Sequence, residues 1–472
     1  MLPWKSIIEI NPESKRTIYL QISDFIIKEI NIGHLSAGQK LPSSRTLADI
    51  LKINRKTAIM AFDELLAQGW IDVIPNKGAF VKNNIPTFRP QDLGRKMNIP
   101  KIIKKDPISS LVTVNDGIPD YRLSLIDKLY KQAGSLSKNA IGKNLFGGGS
   151  PAGEESLRYV LCNYLHDSRA ISTTPSNIMV TRGSQMALYL AFSILLKNGG
   201  KVAVGELNYQ TANDTITTLG GKLVKIQLND QGLDIDHLEA TLQKEKIAAI
   251  YITPHHQYPT TITMPVTHRL RLLNLASKYD FTIIEDDYDY DYHYSRSPIL
   301  PIASIDQESR VVYIGSFSKL FAPAVRLGYM VASQTFINNC IPHRLHIDRR
   351  GDPLLEKSLS MLIEDNELPR LLKKNISIYK RRRDLLASLL EKELGNQVRF
   401  KLPEGGMAIW VKFLNIDIDT LKDKLHQNGV IMNTDVYTAF NSHSRLGFAS
   451  LNEKEIGIVI ELLTKVIHQI VQ

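Results

Sequence analysis

The segment VVYIGSFSKLFAPAVRLGYM, residues 311–330, sets Lys319 and Arg326 among apolar neighbours, with Ser316 and Ser318 just before the lysine. An amine in a mostly apolar setting sheds its proton more readily, and the free amine condenses with carbonyl groups. Three further clusters carry chemistry. Thr181-Arg182-Gly183-Ser184-Gln185 reads as a strand-to-helix turn, whose free N–H groups and dipole favour an anion. ELNYQTAND puts Tyr209 just past a strand, where its ring can cover a flat ligand. In IIEDDYDYDYHY an apolar run precedes the acids, so Asp286 and Tyr288 fall on one side at the strand's end. Each cluster alone has a plainer reading: packing for a lone Tyr, a solvated face or carboxylate metal site for an acidic run.

Together they offer an anion cradle, an aromatic lid, an acid–phenol pair, and a lysine flanked by serines and an arginine. That set answers the needs of pyridoxal 5′-phosphate. Its phosphate wants a helix N-terminus, hydroxyls and an Arg, and its ring nitrogen wants a carboxylate. Its phenolate oxygen wants a hydroxyl donor, and its aldehyde wants a lysine amine. The patterns S-x-S-K-x6-R-L-G-Y, EDDYD and TPHHQYPT resemble those of fold-type-I aminotransferases, and the likeness runs from about residue 115 to 472. The resemblance implies Lys319 as the catalytic, Schiff-base lysine, with Asp286 facing the pyridine nitrogen and Tyr288 donating to the phenolate oxygen. It also implies that Tyr209 stacks on the ring and that Ser184, Gln185, Ser316, Ser318 and Arg326 surround the phosphate. In HSRLGFAS it sets Arg445 where the family holds a substrate α-carboxylate, a task suited to a guanidinium.

The elements that must position these residues alternate along the chain. Strand-like runs at 178–181, 201–206, 247–254, 281–286 and 310–316 are separated by segments with apolar residues at helical spacing. This pattern predicts an α/β fold with a mainly parallel sheet and helices on both faces, ligands gathering at the strands' carboxyl ends. The resemblance places this body at 113–472, with a smaller C-terminal subdomain from about 345.

The first quarter differs. Of the net charge of +10, residues 1–105 hold +8, from 17 Lys and Arg against 9 Asp and Glu. A basic end suggests a polyanionic partner. TIYLQISDFIIKEINIG has helical spacing, and LPSSRTLADILKINRKTAIMAFDELLAQGW predicts two short helices joined at Lys52-Ile53-Asn54. Ser43 or Ser44 caps the first, and the second starts at Arg55. WIDVIPNKGAFV predicts two strands around Pro75-Asn76-Lys77-Gly78. Helix-turn-helix spacing alone also fits helical hairpins that bind nothing. The whole run, however, is similar to the winged helix-turn-helix of GntR-type regulators. By that likeness Arg45, Arg55, Lys56, Thr57, Lys77 and Gly78 stand where the family touches double-stranded DNA. This head is expected over 1–82. The stretch 83–112, rich in Pro, Asn and Lys, reads as a linker.

A GntR-type head, a linker and an aminotransferase-like body together resemble the MocR/GabR family of regulators. The resemblance implies a cytoplasmic homodimer that senses a small amine, an amino acid or the B6 vitamer itself, without productive turnover. The alternatives are a working pyridoxal-phosphate aminotransferase with a DNA-binding head, and a cofactor-free dimerising scaffold. Three residues depart from the relatives. Thr261 replaces a usual Gly, which limits special backbone geometry in its loop. Phe146 stands where a Tyr hydroxyl is expected to reach the partner's phosphate, and NYQT lacks the basic residue of the γ-aminobutyrate sensor. The start MLPWKSIIEI lacks a long apolar core and no stretch approaches 18 uncharged apolar residues, so neither a signal peptide nor a membrane span is expected. Cys162 and Cys340 stand alone, which predicts neither a disulfide framework nor a metal site.

Overall fold

The computed structural model describes residues 4, 8, 10–85, 112–294, 298–433 and 440–471. The chain divides into two compact units, residues 1–105 and 106–472. Most of the linker expected over 83–112 lies outside the described residues.

In the first unit, helices α1 (Ile18–Asn31), α2 (Ser44–Leu51) and α3 (Arg55–Ala67) precede strands β1 (Ile71–Ile74) and β2 (Gly78–Val81). Ile22, Ile26, Leu47, Ala58, Leu65 and Ile71 form its core. Each helix start is chemically marked. The Ser43 hydroxyl accepts from the Thr46 N–H at 3.1 Å, and the Asn54 side chain accepts from the Lys56 N–H at 2.8 Å. Lys52 takes a left-handed conformation (φ 54°) that ends α2 and turns the chain into α3. β1 and β2 pair antiparallel, Ile74 opposite Gly78. Their turn needs positive φ at Asn76 (61°) and Gly78 (111°), which Asn and Gly tolerate best.

The second unit is built on a seven-stranded sheet. After β3 (Val112–Asn115) come β4 (Ile178–Thr181), β5 (Gly200–Gly205) and β6 (Gly221–Ile226). A short pair, β7 (Leu228–Asn229) and β8 (Gly232–Leu233), precedes β9 (Ala249–Ile252), β10 (Thr282–Asp287), β11 (Val311–Ser316) and β12 (Gly328–Val331). The sheet order is β4-β12-β11-β10-β9-β5-β6. Only β12 runs against its neighbours. Alternate residues serve opposite faces. Val204, Tyr251, Ile284 and Ile314 pack against helices 184–195, 210–218 and 334–347. Ala203, Ile250, Ile283 and Tyr313 pack against helices 155–169, 266–279 and 353–364. Both faces are thus covered, as a mostly parallel sheet requires.

A smaller antiparallel sheet follows, with β13 (Val398–Phe400), β14 (Ala408–Phe413) and, beyond β15 (Val430–Asn433), β16 (His443–Gly447) in the order β13-β14-β16. β15 instead pairs in parallel with β3. That pairing carries the turn after β3 against β16: a Cβ on Gly447 would lie 2.5 Å from the Asn115 carbonyl oxygen. Among the described residues no helix is long and apolar enough to cross a membrane, and no group of His, Cys, Asp or Glu is arranged to hold a metal ion.

Candidate functional site

A cavity of about 180 Å³ sits where β9, β10 and β11 end. Nine of the ten body residues singled out from sequence line it: Ser184, Tyr209, Asp286, Tyr288, Ser316, Ser318, Lys319, Arg326 and Arg445. Gln185 does not. Its side-chain amide donates to the Thr215 hydroxyl at 2.9 Å, which turns it toward the neighbouring helix. Only its place in the first turn of helix 184–195 keeps it near the anion end.

Asp286, next to the last residue of β10, is 4% exposed. Its Oδ2 accepts from the Tyr251 hydroxyl at 3.0 Å, while its Oδ1 has no partner among the described residues. Burial pushes this carboxyl up to about 7, against the Tyr251 hydrogen bond that favours its charged form. The sequence reading missed Tyr251. It lies on β9 inside a run read as core, and only the β9–β10 register, Tyr251 opposite Ile284, brings it to Asp286.

Tyr288 follows the strand. Its hydroxyl donates to the His256 carbonyl at 2.9 Å and accepts from Arg445 at 3.2 Å, and burial raises its pKa. The guanidinium of Arg445, 1% exposed, also donates to the carbonyls of Asp116 (2.6 Å) and Pro259 (3.2 Å). Among the described residues its hydrogen-bond partners are thus neutral oxygens, which leaves its charge for an incoming anion. The Lys319 amine donates to the Gly117 carbonyl at 2.6 Å and lies 5.8 Å from the Tyr288 ring centroid. Desolvation lowers its pKa, opposed by Asp116.

Donors also gather near the start of helix 184–195. Arg326, in a left-handed conformation (φ 53°), donates to the Arg182 carbonyl at 2.9 Å. Gly183 lies so close to it that a Cβ there would be 3.0 Å from the guanidinium. The Ser316 hydroxyl accepts from the Ser318 N–H at 3.2 Å. The cavity therefore has an anion end, a buried carboxylate short of one donor, an amine and a second guanidinium. Thr261 corrects one expectation: despite its branched side chain it takes φ 62°, with its N–H bonded to the Gln257 carbonyl at 2.7 Å. The loop reaches the special geometry without glycine.

On the first unit, Arg45, Arg55, Lys56, Lys77 and Gly78 are exposed and Thr57 is half-buried. Arg55 and Lys56 occupy the first turn of α3, the part of such a helix that points at base edges in a major groove. Lys77 sits at the tip of the β1–β2 hairpin.

Residues 18–81 match the model of the bacterial regulatory proteins, gntR family. The chain is similar to aromatic-amino-acid aminotransferase 1 of Thermococcus litoralis, at 30% identity over 81% of this chain and 94% of that protein. It is also similar to the HTH-type transcriptional regulator YdfD of Bacillus subtilis, at 28% over 93% of this chain and 94% of that one. The probable rhizopine catabolism regulatory protein MocR of Rhizobium meliloti is 25% identical over 84% of this chain and 82% of its own. Among solved structures, the Pyrococcus horikoshii kynurenine aminotransferase superposes with a TM-score of 0.70 at 28% identity, covering 77% of this chain and 92% of that one. The head matches one family and the body another, and relatives carry both in one chain. The chain belongs to the MocR-type transcription regulators, which join a gntR-family winged helix-turn-helix to an aminotransferase-family body.

Proposed function

We propose that this regulator binds double-stranded DNA through residues 1–82 and carries pyridoxal 5′-phosphate in its body, on Lys319, as a sensor of a small amine, an amino acid or the vitamer itself. The observation that carries the cofactor reading is the buried, unpartnered Oδ1 of Asp286. A protonated ring nitrogen supplies the donor this oxygen lacks, and the pairing keeps the carboxylate charged. The cofactor, when bound, supplies an aldehyde and an electron-withdrawing ring. The chain's own residues do the rest. Lys319 presents an amine whose proton is weakly held. Tyr288 offers its hydroxyl, Tyr209 its ring, and Ser184, Ser316, Ser318 and Arg326 hold the phosphate. Arg445 receives an effector carboxylate in a bidentate grip.

Effector binding then shifts the body between arrangements of different DNA affinity. We place the working form in the cytoplasm as a homodimer, with 83–112 as tether and 113–472 as effector body. Purified protein should be yellow and Lys319→Ala colourless; a colourless wild type sinks the cofactor reading. The second reading, aminotransferase turnover, draws on the relatives named as such enzymes and on the nine expected residues that line the cavity around Lys319. Conversion of amino donor and keto acid over many turnovers would establish it.

A further inference from the structure

We propose that Asp116 makes the effector cavity selective for compounds with a second ammonium group, diamino acids in particular. This rests on the sensing role proposed for the cavity. The turn after β3 is held by Asn115, whose side-chain oxygen accepts from the N–H groups of Gly117 (2.9 Å) and Ile118 (2.7 Å). The Asp116 carbonyl accepts from Arg445, and the next carbonyl, that of Gly117, accepts from Lys319. Asp116 lines the cavity, and its carboxylate meets the Tyr258 hydroxyl, another lining residue. Among the described residues its carboxylate accepts one hydrogen bond, from the Tyr258 hydroxyl at 3.3 Å, and forms no ion pair.

Charge accounting then constrains the effector. In the complex that precedes any exchange of Lys319 for the effector amine, the cofactor engages Lys319 and an effector carboxylate engages Arg445. Asp116 remains as a half-buried negative charge beside the bound molecule. An effector with a neutral side chain leaves that charge uncompensated in a drier setting, which is costly. A second ammonium group pairs with it and gains further from the adjacent Tyr258 ring. The competing role for Asp116 is simply to balance Arg445, whose guanidinium lies 5.0 Å from the Tyr258 ring centroid. In that case the carboxylate has no preference among effector side chains.

The test titrates L-ornithine and L-norvaline, which differ by the terminal amine, into full-length cofactor-loaded wild type and Asp116→Asn. The change in the visible band and the thermal shift are both read. Ornithine should bind the wild type about tenfold more tightly than norvaline, and the ratio should fall below about threefold in the variant. Equal binding to the wild type, a preference that survives Asp116→Asn, or binding of neither amine overturns the assignment. Loss of colour in Asp116→Asn overturns it as well, since the carboxylate then serves the cofactor. A colourless wild type defeats the cofactor reading itself and this assignment with it.

Discussion

Asp286 links the chemistry of one residue to the stability of the body. Its folded pKa of about 7 stands above an unfolded value near 4, so the folded state without cofactor holds a proton that the unfolded chain has released. Its contribution is therefore most favourable below about pH 4 and falls as pH rises to about 7, reaching a penalty on the order of 4 kcal/mol. Glu285, pushed up to about 7, and Asp287, up to about 6, add to the same slope through burial. We expect cofactor-free Asp286→Asn to unfold at higher urea than wild type at pH 8, with a smaller gap at pH 5. Parallel pH curves for the two proteins would contradict this. The variant should also hold cofactor more weakly, because Asn carries no charge to keep the ring nitrogen protonated. Asp286 and Lys319 were legible in the sequence because charges set against apolar strands need an explanation, whereas Arg445 was marked only by the family resemblance of HSRLGFAS. Tyr251 and Asp116 were not. A tyrosine inside a strand is ordinary, and Asp116 meets Arg445 only through contacts between segments more than 300 residues apart.

Lys319 is aimed by β11 and β12, which enter and leave its loop. Gly315 in β11 pairs with Tyr329 in β12, and a Cβ at Gly315 would lie 2.2 Å from the Tyr329 ring. Gly315→Ala must therefore displace the ring or the strand, at about 1–3 kcal/mol. We expect a lower urea midpoint together with weaker colour, since the shift reaches Ser316 directly. An unchanged midpoint would show that Tyr329 moves freely. In the head, Ser43→Ala removes the cap of α2 and should cost about 1 kcal/mol of head stability, read by thermal unfolding of the full chain. Five sheet strands and both helices of the helix-turn-helix stood where periodicity placed them. β6 and β12 escaped. Lysines at 222 and 225 break the apolar run of β6. β12 hides in the apolar continuation after Arg326, and its antiparallel course follows from the sheet pairing rather than from local pattern.

Across the whole molecule the charge is uneven: +8 of the net +10 lies in the first 105 residues, so the DNA contact should dominate the salt response. Each phosphate-binding cation lost should flatten the plot of log affinity against log salt by about one unit, the expectation for Lys56→Ala. Sensing adds a stricter requirement. If an amine changes operator affinity by some factor, operator DNA must change amine affinity by the same factor, typically about 5–150-fold. Both halves can be measured on one preparation. The amine is titrated by the visible band with and without a duplex from the chain's own upstream DNA, and the duplex is titrated by fluorescence anisotropy with and without saturating amine. Equal factors place the body and the head in one equilibrium. Amine affinity indifferent to DNA, beside tight binding of each ligand alone, would mean that the body's chemistry is not read by the head, and the aminotransferase reading would then take precedence.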